Sequence, residues 1–120
     1  MTRRLVLAED DPHIGVLVAF ALEPLGLVVE RFADGEAALA RLRAGPPPAL
    51  VVLDLMLPRL SGRDVLRALE ADPALDPVPV LVLSARAGAV EVARARGALA
   101  FLAKPFDVDD LLRTVEELLA

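Results

Sequence analysis

The chain has 120 residues, of which 56% are hydrophobic, so it is large enough to fold as one domain around a hydrophobic core. It contains no cysteine, which excludes disulfide bonds and thiolate chemistry. Its 13 basic and 18 acidic side chains give a net charge of −5, which disfavours direct binding of nucleic acid, because phosphate contacts need a basic surface. No charge-free apolar stretch is long enough to span a membrane and no signal peptide is recognisable, so we expect one soluble domain over residues 1–120. The lack of cysteine fits an intracellular protein.

Five short apolar runs alternate with helical patterns along the chain. The strands are predicted, in chain order, over 5–8, 27–30, 49–53, 78–83 and 99–102. The third run has no polar alternation, which is typical of a strand buried on both faces of a parallel sheet. The repeated strand–helix alternation therefore predicts an α/β fold with right-handed crossovers.

Helices are predicted after each strand, with N-caps in chain order at Asp11, Asp34, Ser61 and Asp107. The core face of the first helix is predicted to comprise Ile14, Leu17, Ala21, Leu22 and Leu25. Val16 and Phe20, four residues apart, add a second apolar stripe, and the single histidine, His13, is predicted to lie on the surface. The segment 86–97 is predicted to be the shortest and least stable helix. Its only sizeable apolar side chains are Val90 and Val92, and because residues two apart lie on different faces of a helix, at most one of them can face the sheet.

The third strand ends on a carboxylate, Asp54. Ligands gather at the carboxyl ends of strands in open α/β sheets, so we interpret Asp54 as a reactive group. Other strands also end on polar side chains: Glu9 and Asp10 follow the first, Ser84 the fourth and Lys104 the fifth. Each of these residues alone has a simpler interpretation, as a helix-capping acid or a solvated loop residue. Their joint arrangement is more specific than any one of them.

Three acids at one edge of a sheet repel one another, by roughly 4 kcal/mol for two carboxylates about 4 Å apart at an effective dielectric of about 20. A cation would offset this repulsion. Oxygen ligands without histidine or cysteine suit a hard ion such as Mg²⁺. A phosphoryl group on Asp54 would find the metal, the Ser84 hydroxyl and the Lys104 ammonium near its oxygens, which favours phosphoryl transfer.

The motifs that follow the strands are Glu9-Asp10, Leu53-Asp54-Leu55-Met56-Leu57-Pro58 with Ser61-Gly62, Ser84-Ala85, Gly97-Ala98 and Lys104-Pro105-Phe106. Over essentially the whole chain, their order resembles that of the receiver domain of two-component response regulators. The resemblance implies a single doubly wound (βα)5 flavodoxin-like domain with a parallel five-stranded sheet in the order 2-1-3-4-5. It also implies cytoplasmic phosphorelay signalling by a protein that catalyses only its own phosphorylation and dephosphorylation.

The resemblance further implies roles for the acids. Asp54 would be the acceptor that a sensor histidine kinase or histidine phosphotransfer protein phosphorylates. Glu9, Asp10 and Asp54, with the backbone carbonyl of Met56, would hold Mg²⁺ or Mn²⁺.

The remaining roles implied by the resemblance concern the last two strand ends. Ser84 and Lys104 would contact the phosphoryl oxygens, Phe101 would follow Ser84 as an aromatic switch, and Lys104-Pro105 would be a cis peptide. The family pattern also allows a homodimer, with no direct contact to nucleic acid or membrane.

Three other functions fit parts of the sequence. A receiver-like interaction module could signal without phosphate, although the complete set of polar residues disfavours it. A hydrolase with an aspartyl-phosphate intermediate typically has a second carboxylate two residues after the nucleophile, and here that residue is Met56. A flavin or dinucleotide module is disfavoured because no glycine-rich loop follows the first strand.

Overall fold

The structure, a computed structural model, describes residues 3–75, 77–85 and 100–120. The strands are β1 Arg3–Ala8, β2 Leu27–Phe32, β3 Leu50–Asp54, β4 Val80–Ser84 and β5 Ala100–Ala103. The α-helices in the described residues are α1 Pro12–Leu22, α2 Gly35–Ala44, α3 Gly62–Ala71 and α4 Val108–Leu119, and a 3-10 turn spans Glu23–Leu25. All strand pairs are parallel and the sheet order is β2-β1-β3-β4-β5, which confirms the predicted flavodoxin-like fold.

Successive side chains of β3 enter two separate hydrophobic cores. Val51 and Leu53 pack with residues of α2 and α3, whereas Leu50 and Val52 pack with residues of α1 and α4. Every residue of β3 is buried. Helices on both faces thus account for the unbroken apolar run, since burying each such side chain is worth roughly 1.5–3 kcal/mol.

The predicted N-caps are confirmed. Each cap accepts a hydrogen bond of 2.7 to 3.2 Å from a backbone N–H of the first turn, in the pairs Asp11 with His13, Asp34 with Ala37, Ser61 with Asp64, and Asp107 with Asp109. Such a cap contributes roughly 1 kcal/mol. The caps start these helices at the edge of the sheet where the strands end.

The predicted core face of α1 is wrong in part. The buried residues of this helix are Gly15, Val18, Ala21 and Leu22, whereas Leu17 is 40% exposed. Because α1 is apolar on nearly all sides, the spacing of its apolar residues does not select one face. The second stripe, Val16 and Phe20, faces solvent, and His13 is exposed as predicted.

Strand boundaries differ slightly from the predictions. β2 continues two residues further, to Phe32, and β4 begins at Val80 and includes Ser84. The predicted segment 86–97 lies outside the described residues. Within the described part of the chain, no helix combines the length and the apolar character needed to cross a lipid bilayer.

Candidate functional site

The ends of β1 and β3 bring three acids together. These strands are neighbours, and Ala8 pairs with Leu53, so Glu9 and Asp54 leave the sheet at the same level. Glu9, Asp10 and Asp54 each offer a carboxylate oxygen within 4.8 Å of the others. Glu9 and Asp54 are buried, whereas Asp10 is exposed. The sequence-predicted acids therefore form one cluster with a solvent-facing side.

Both carboxylate oxygens of Asp54 have a partner. Oδ1 accepts a hydrogen bond of 2.8 Å from the backbone N–H of Met56, and Oδ2 lies 2.7 Å from Nζ of Lys104. The residue is only 3% exposed. These contacts orient the carboxylate at the carboxyl edge of the sheet and hold it beside a positive charge.

Lys104 joins two acids from different strands. Its Nζ lies 2.6 Å from Oε1 of Glu9 as well as 2.7 Å from Oδ2 of Asp54. Its backbone N–H donates to the carbonyl of Ser84 at 2.9 Å, and the Lys104–Pro105 peptide bond is cis. Burial would lower the pKa of Lys104, but the hydrogen bonds to Asp54 and Glu9 outweigh it, and the pKa lies above its usual value. Lys104 therefore stays charged and offsets the repulsion between the acids.

Hydrogen bonds hold both the backbone and the side chain of Glu9. Its backbone N–H donates to the carbonyl of Phe32 at 3.0 Å, and its Oε2 accepts a hydrogen bond of 3.1 Å from the N–H of Asp11. Burial raises the pKa of Glu9, and contact with Lys104 only partly opposes this effect. A positive charge placed near Glu9 would therefore stabilise its ionised form.

The other residues singled out in the sequence lie on β4, on β5 and in the loop after β3. Ser84 is buried at the end of β4, one residue beyond Leu83, which pairs with Asp54. Phe101 is half-buried in β5 and packs against the core on the α2 and α3 face. The side chain of Met56 is exposed, in the loop after β3.

The acids fit a hard divalent cation. At 4.8 Å and an effective dielectric of about 20, two carboxylates repel by about 3.5 kcal/mol. A donor set made only of carboxylate oxygens is the chemistry that Mg²⁺ and Mn²⁺ prefer. A cleft of about 290 Å³ adjoins the acids and is lined by Glu9, Asp10, Pro12, Arg31, Phe32 and Ala33. The cluster is therefore reachable from solvent.

The cleft residues from β2 were not predicted from the sequence. Arg31 and Phe32 lie beyond the predicted end of the second strand at Glu30, but the strand continues and Phe32 pairs with Ala8 of β1. The available signal was the sheet order, since a strand beside β1 ends next to Glu9.

Comparisons with known proteins agree with this architecture. A family model described as the response regulator receiver domain matches residues 5–116. The DNA-binding dual master transcriptional regulator RpaA of Synechocystis is 37% identical over 118 residues, which cover 97% of this chain and 48% of RpaA. The chain thus spans about half the length of that relative.

Solved structures show the same fold over nearly the whole chain. The receiver domain of a sensor histidine kinase from Pseudomonas aeruginosa, described with a magnesium ion in its active-site cleft, is 28% identical with a TM-score of 0.89. The match covers 99% of this chain and 98% of that one. The chemotaxis response regulator CheY4 of Vibrio cholerae is 25% identical with a TM-score of 0.89, covering 98% of this chain and 99% of its own.

Proposed function

The chain belongs to the response regulator receiver domain family, and from that premise we propose that residues 1–120 form one phosphoacceptor domain whose acceptor is Asp54. The donor is a sensor histidine kinase or a histidine phosphotransfer protein. The observation that carries the proposal is the buried Asp54 carboxylate, which lies 2.7 Å from Lys104 and within 4.8 Å of two further acids.

The proposed reaction moves a phosphoryl group from a donor nitrogen to a carboxylate oxygen. A bond forms between Asp54 and phosphorus while the bond from phosphorus to the donor imidazole breaks, and the released imidazole takes up a proton. Lys104 supplies positive charge beside the oxygen it contacts. Ser84, at the adjacent strand end, would donate its hydroxyl hydrogen to a phosphoryl oxygen. Hydrolysis of the acyl phosphate would break the bond between Asp54 and phosphorus, release inorganic phosphate and return the domain to its unphosphorylated form.

The proposed metal site uses the acid cluster. Glu9, Asp10 and Asp54, with the backbone carbonyl of Met56, would hold Mg²⁺ or Mn²⁺. When bound, the ion neutralises negative charge on the acids and on the phosphoryl oxygens. Burial raises the pKa of Glu9, and a cation bound beside it would stabilise its ionised form, which supports this assignment.

The proposed readout runs from Ser84 to Phe101. Movement of Ser84 towards the phosphoryl group would favour one packing of Phe101, and a partner would bind the face that changes. That partner could be another protein or a second copy of the chain. The net charge of −5 disfavours nucleic acid as a direct partner, and the absence of cysteine fits a cytoplasmic location.

Incubation with Mg²⁺ and a small phosphoryl donor, followed by intact mass spectrometry, tests this function. We expect one added phosphoryl group on the wild type, none in chelator and none on Asp54→Asn. Asp72→Asn is the matched control, because it removes the same charge from a carboxylate that only caps the turn after α3, and it should be labelled normally. Labelling of Asp54→Asn would contradict the proposal. No labelling of the wild type would favour the phosphate-independent interaction module.

A further inference from the structure

The loop that follows the acceptor strand rests on the first turn of α2. Residues 55–61 connect Asp54 to α3 and include Met56. The backbone N–H of Gly35 donates to the carbonyl of Pro58 at 3.4 Å. A Cβ atom at Gly35 would lie 1.9 Å from the carbonyl oxygen of Leu60 and 2.7 Å from its carbon. No side chain fits at such distances, so this contact requires glycine.

A second contact holds the same loop against α2. Arg59 has a φ of 67°, a left-handed conformation that a residue with a side chain adopts at a cost. Its guanidinium lies 4.0 Å from Asp34 and 3.4 Å from Glu36, the residues on either side of Gly35. The loop therefore contacts the first turn of α2 through both backbone and side chain.

The loop is also fixed where it enters α3. The N–H of Gly62 donates to the carbonyl of Leu55 at 3.1 Å, and a Cβ at Gly62 would lie 2.2 Å from the carbonyl oxygen of Asp54. Because this bond ties the two ends of the loop together, residues 56–61 move as one closed loop, and the contact with α2 is what places that loop.

We propose that Gly35 is a positioning residue for the phosphoacceptor site. By allowing the loop 55–61 to rest on α2, it sets the position of Met56, whose N–H holds Oδ1 of Asp54 at 2.8 Å and whose carbonyl is assigned to the metal. The inference rests on the proposed function and deepens it. Because coupling between two sites is reciprocal, metal binding at Met56 should in turn tighten the contact at Gly35.

Gly35→Ala tests the inference against Gly26→Ala. Gly26 has a φ of 73°, so its substitution strains the backbone, although an added Cβ would meet nothing within 4 Å. Gly26 precedes Leu27, which pairs with Arg3 at the start of β1, so it lies at the edge of the sheet opposite the acids. We expect Gly35→Ala to weaken Mg²⁺ binding, measured by calorimetry, and to slow phosphorylation, each by about tenfold or more, since small misplacements of reacting groups are costly. Gly26→Ala should stay within about twofold of wild type.

Each variant is measured at the same interval below its own Tm, so that lost stability does not imitate lost positioning. Equal behaviour of Gly35→Ala and Gly26→Ala would overturn the inference alone. A wild type that neither binds Mg²⁺ nor accepts a phosphoryl group would overturn the proposed function, and the inference with it.

Hydrogen exchange on the wild type gives a test that needs no variant. On addition of Mg²⁺, the Gly35 amide should exchange several-fold more slowly relative to the Gly26 amide, which donates to Glu23 at 3.0 Å away from the site. An unchanged ratio of the two exchange rates would overturn the inference, because a contact that only supports the fold does not respond to the metal.

Discussion

Replacing Lys104 with methionine should strongly destabilise the metal-free domain. The ammonium lies 2.6 Å from Glu9 and 2.7 Å from Asp54, and both carboxylates are buried. Without the ammonium, two carboxylates within 4.8 Å repel by about 3.5 kcal/mol at an effective dielectric of about 20. Breaking a buried ion pair typically costs about 3–5 kcal/mol, so we expect a loss of about 3 kcal/mol in the free energy of unfolding at pH 7.

Urea denaturation in chelator, followed by far-UV circular dichroism, measures this loss. The chain has no tryptophan or tyrosine, so intrinsic fluorescence is a poor probe. Arg67→Met is the matched control: Arg67 is 60% exposed and lies 3.6 Å from Asp64, so its loss should cost less than about 1 kcal/mol. Adding Asp54→Asn to Lys104→Met should restore part of the stability. A Lys104→Met variant as stable as the Arg67→Met control would refute the reasoning.

Hydrogen bonds from Arg41 lower the pKa of Glu30, so Glu30→Gln should cost about 0.5–1 kcal/mol at pH 7. Because the folded-state pKa is lowered, this stability is present above the ordinary pKa of a glutamate, and urea titrations should show the difference disappearing as the pH falls through the lowered pKa. Leu22→Ala should cost about 2–5 kcal/mol and Leu17→Ala less than about 1, and equal losses would contradict the orientation of α1. Mg²⁺ should raise the Tm of wild type more than that of Asp10→Asn, and equal rises would argue against Asp10 as a ligand.

The sequence predicted the sheet and the position of the site because both follow from local patterns. An unbroken apolar run such as 50–53 indicates a strand covered on both faces, and the residue after it must lie at the carboxyl edge. The capping side chains are equally local, since each bonds an amide two or three residues away. Asp54 and the other strand-end residues could therefore be located from the sequence.

The contacts that the sequence did not predict depend on distances between elements. The bridge from Lys104 to Glu9 joins β5 to β1, which are not adjacent in the sheet. The close approach of Gly35 to Leu60 depends on how α2 packs beside the loop, and neither residue carries a local signal for it. The orientation of α1 was mispredicted at Leu17 for the same reason, because packing against the sheet and α4 selects its buried face.

The most direct measurement of the central claim is the position of the phosphoryl group in the chain. The protein is incubated with Mg²⁺ and a small phosphoryl donor, the acyl phosphate is reduced with borohydride to the corresponding alcohol, and the digested peptides are sequenced by mass spectrometry. We expect the reduced side chain to lie at Asp54 and at no other carboxylate. Reduction at Glu9, Asp10 or another acid, with Asp54 unmodified, would contradict the assignment of Asp54 as the acceptor.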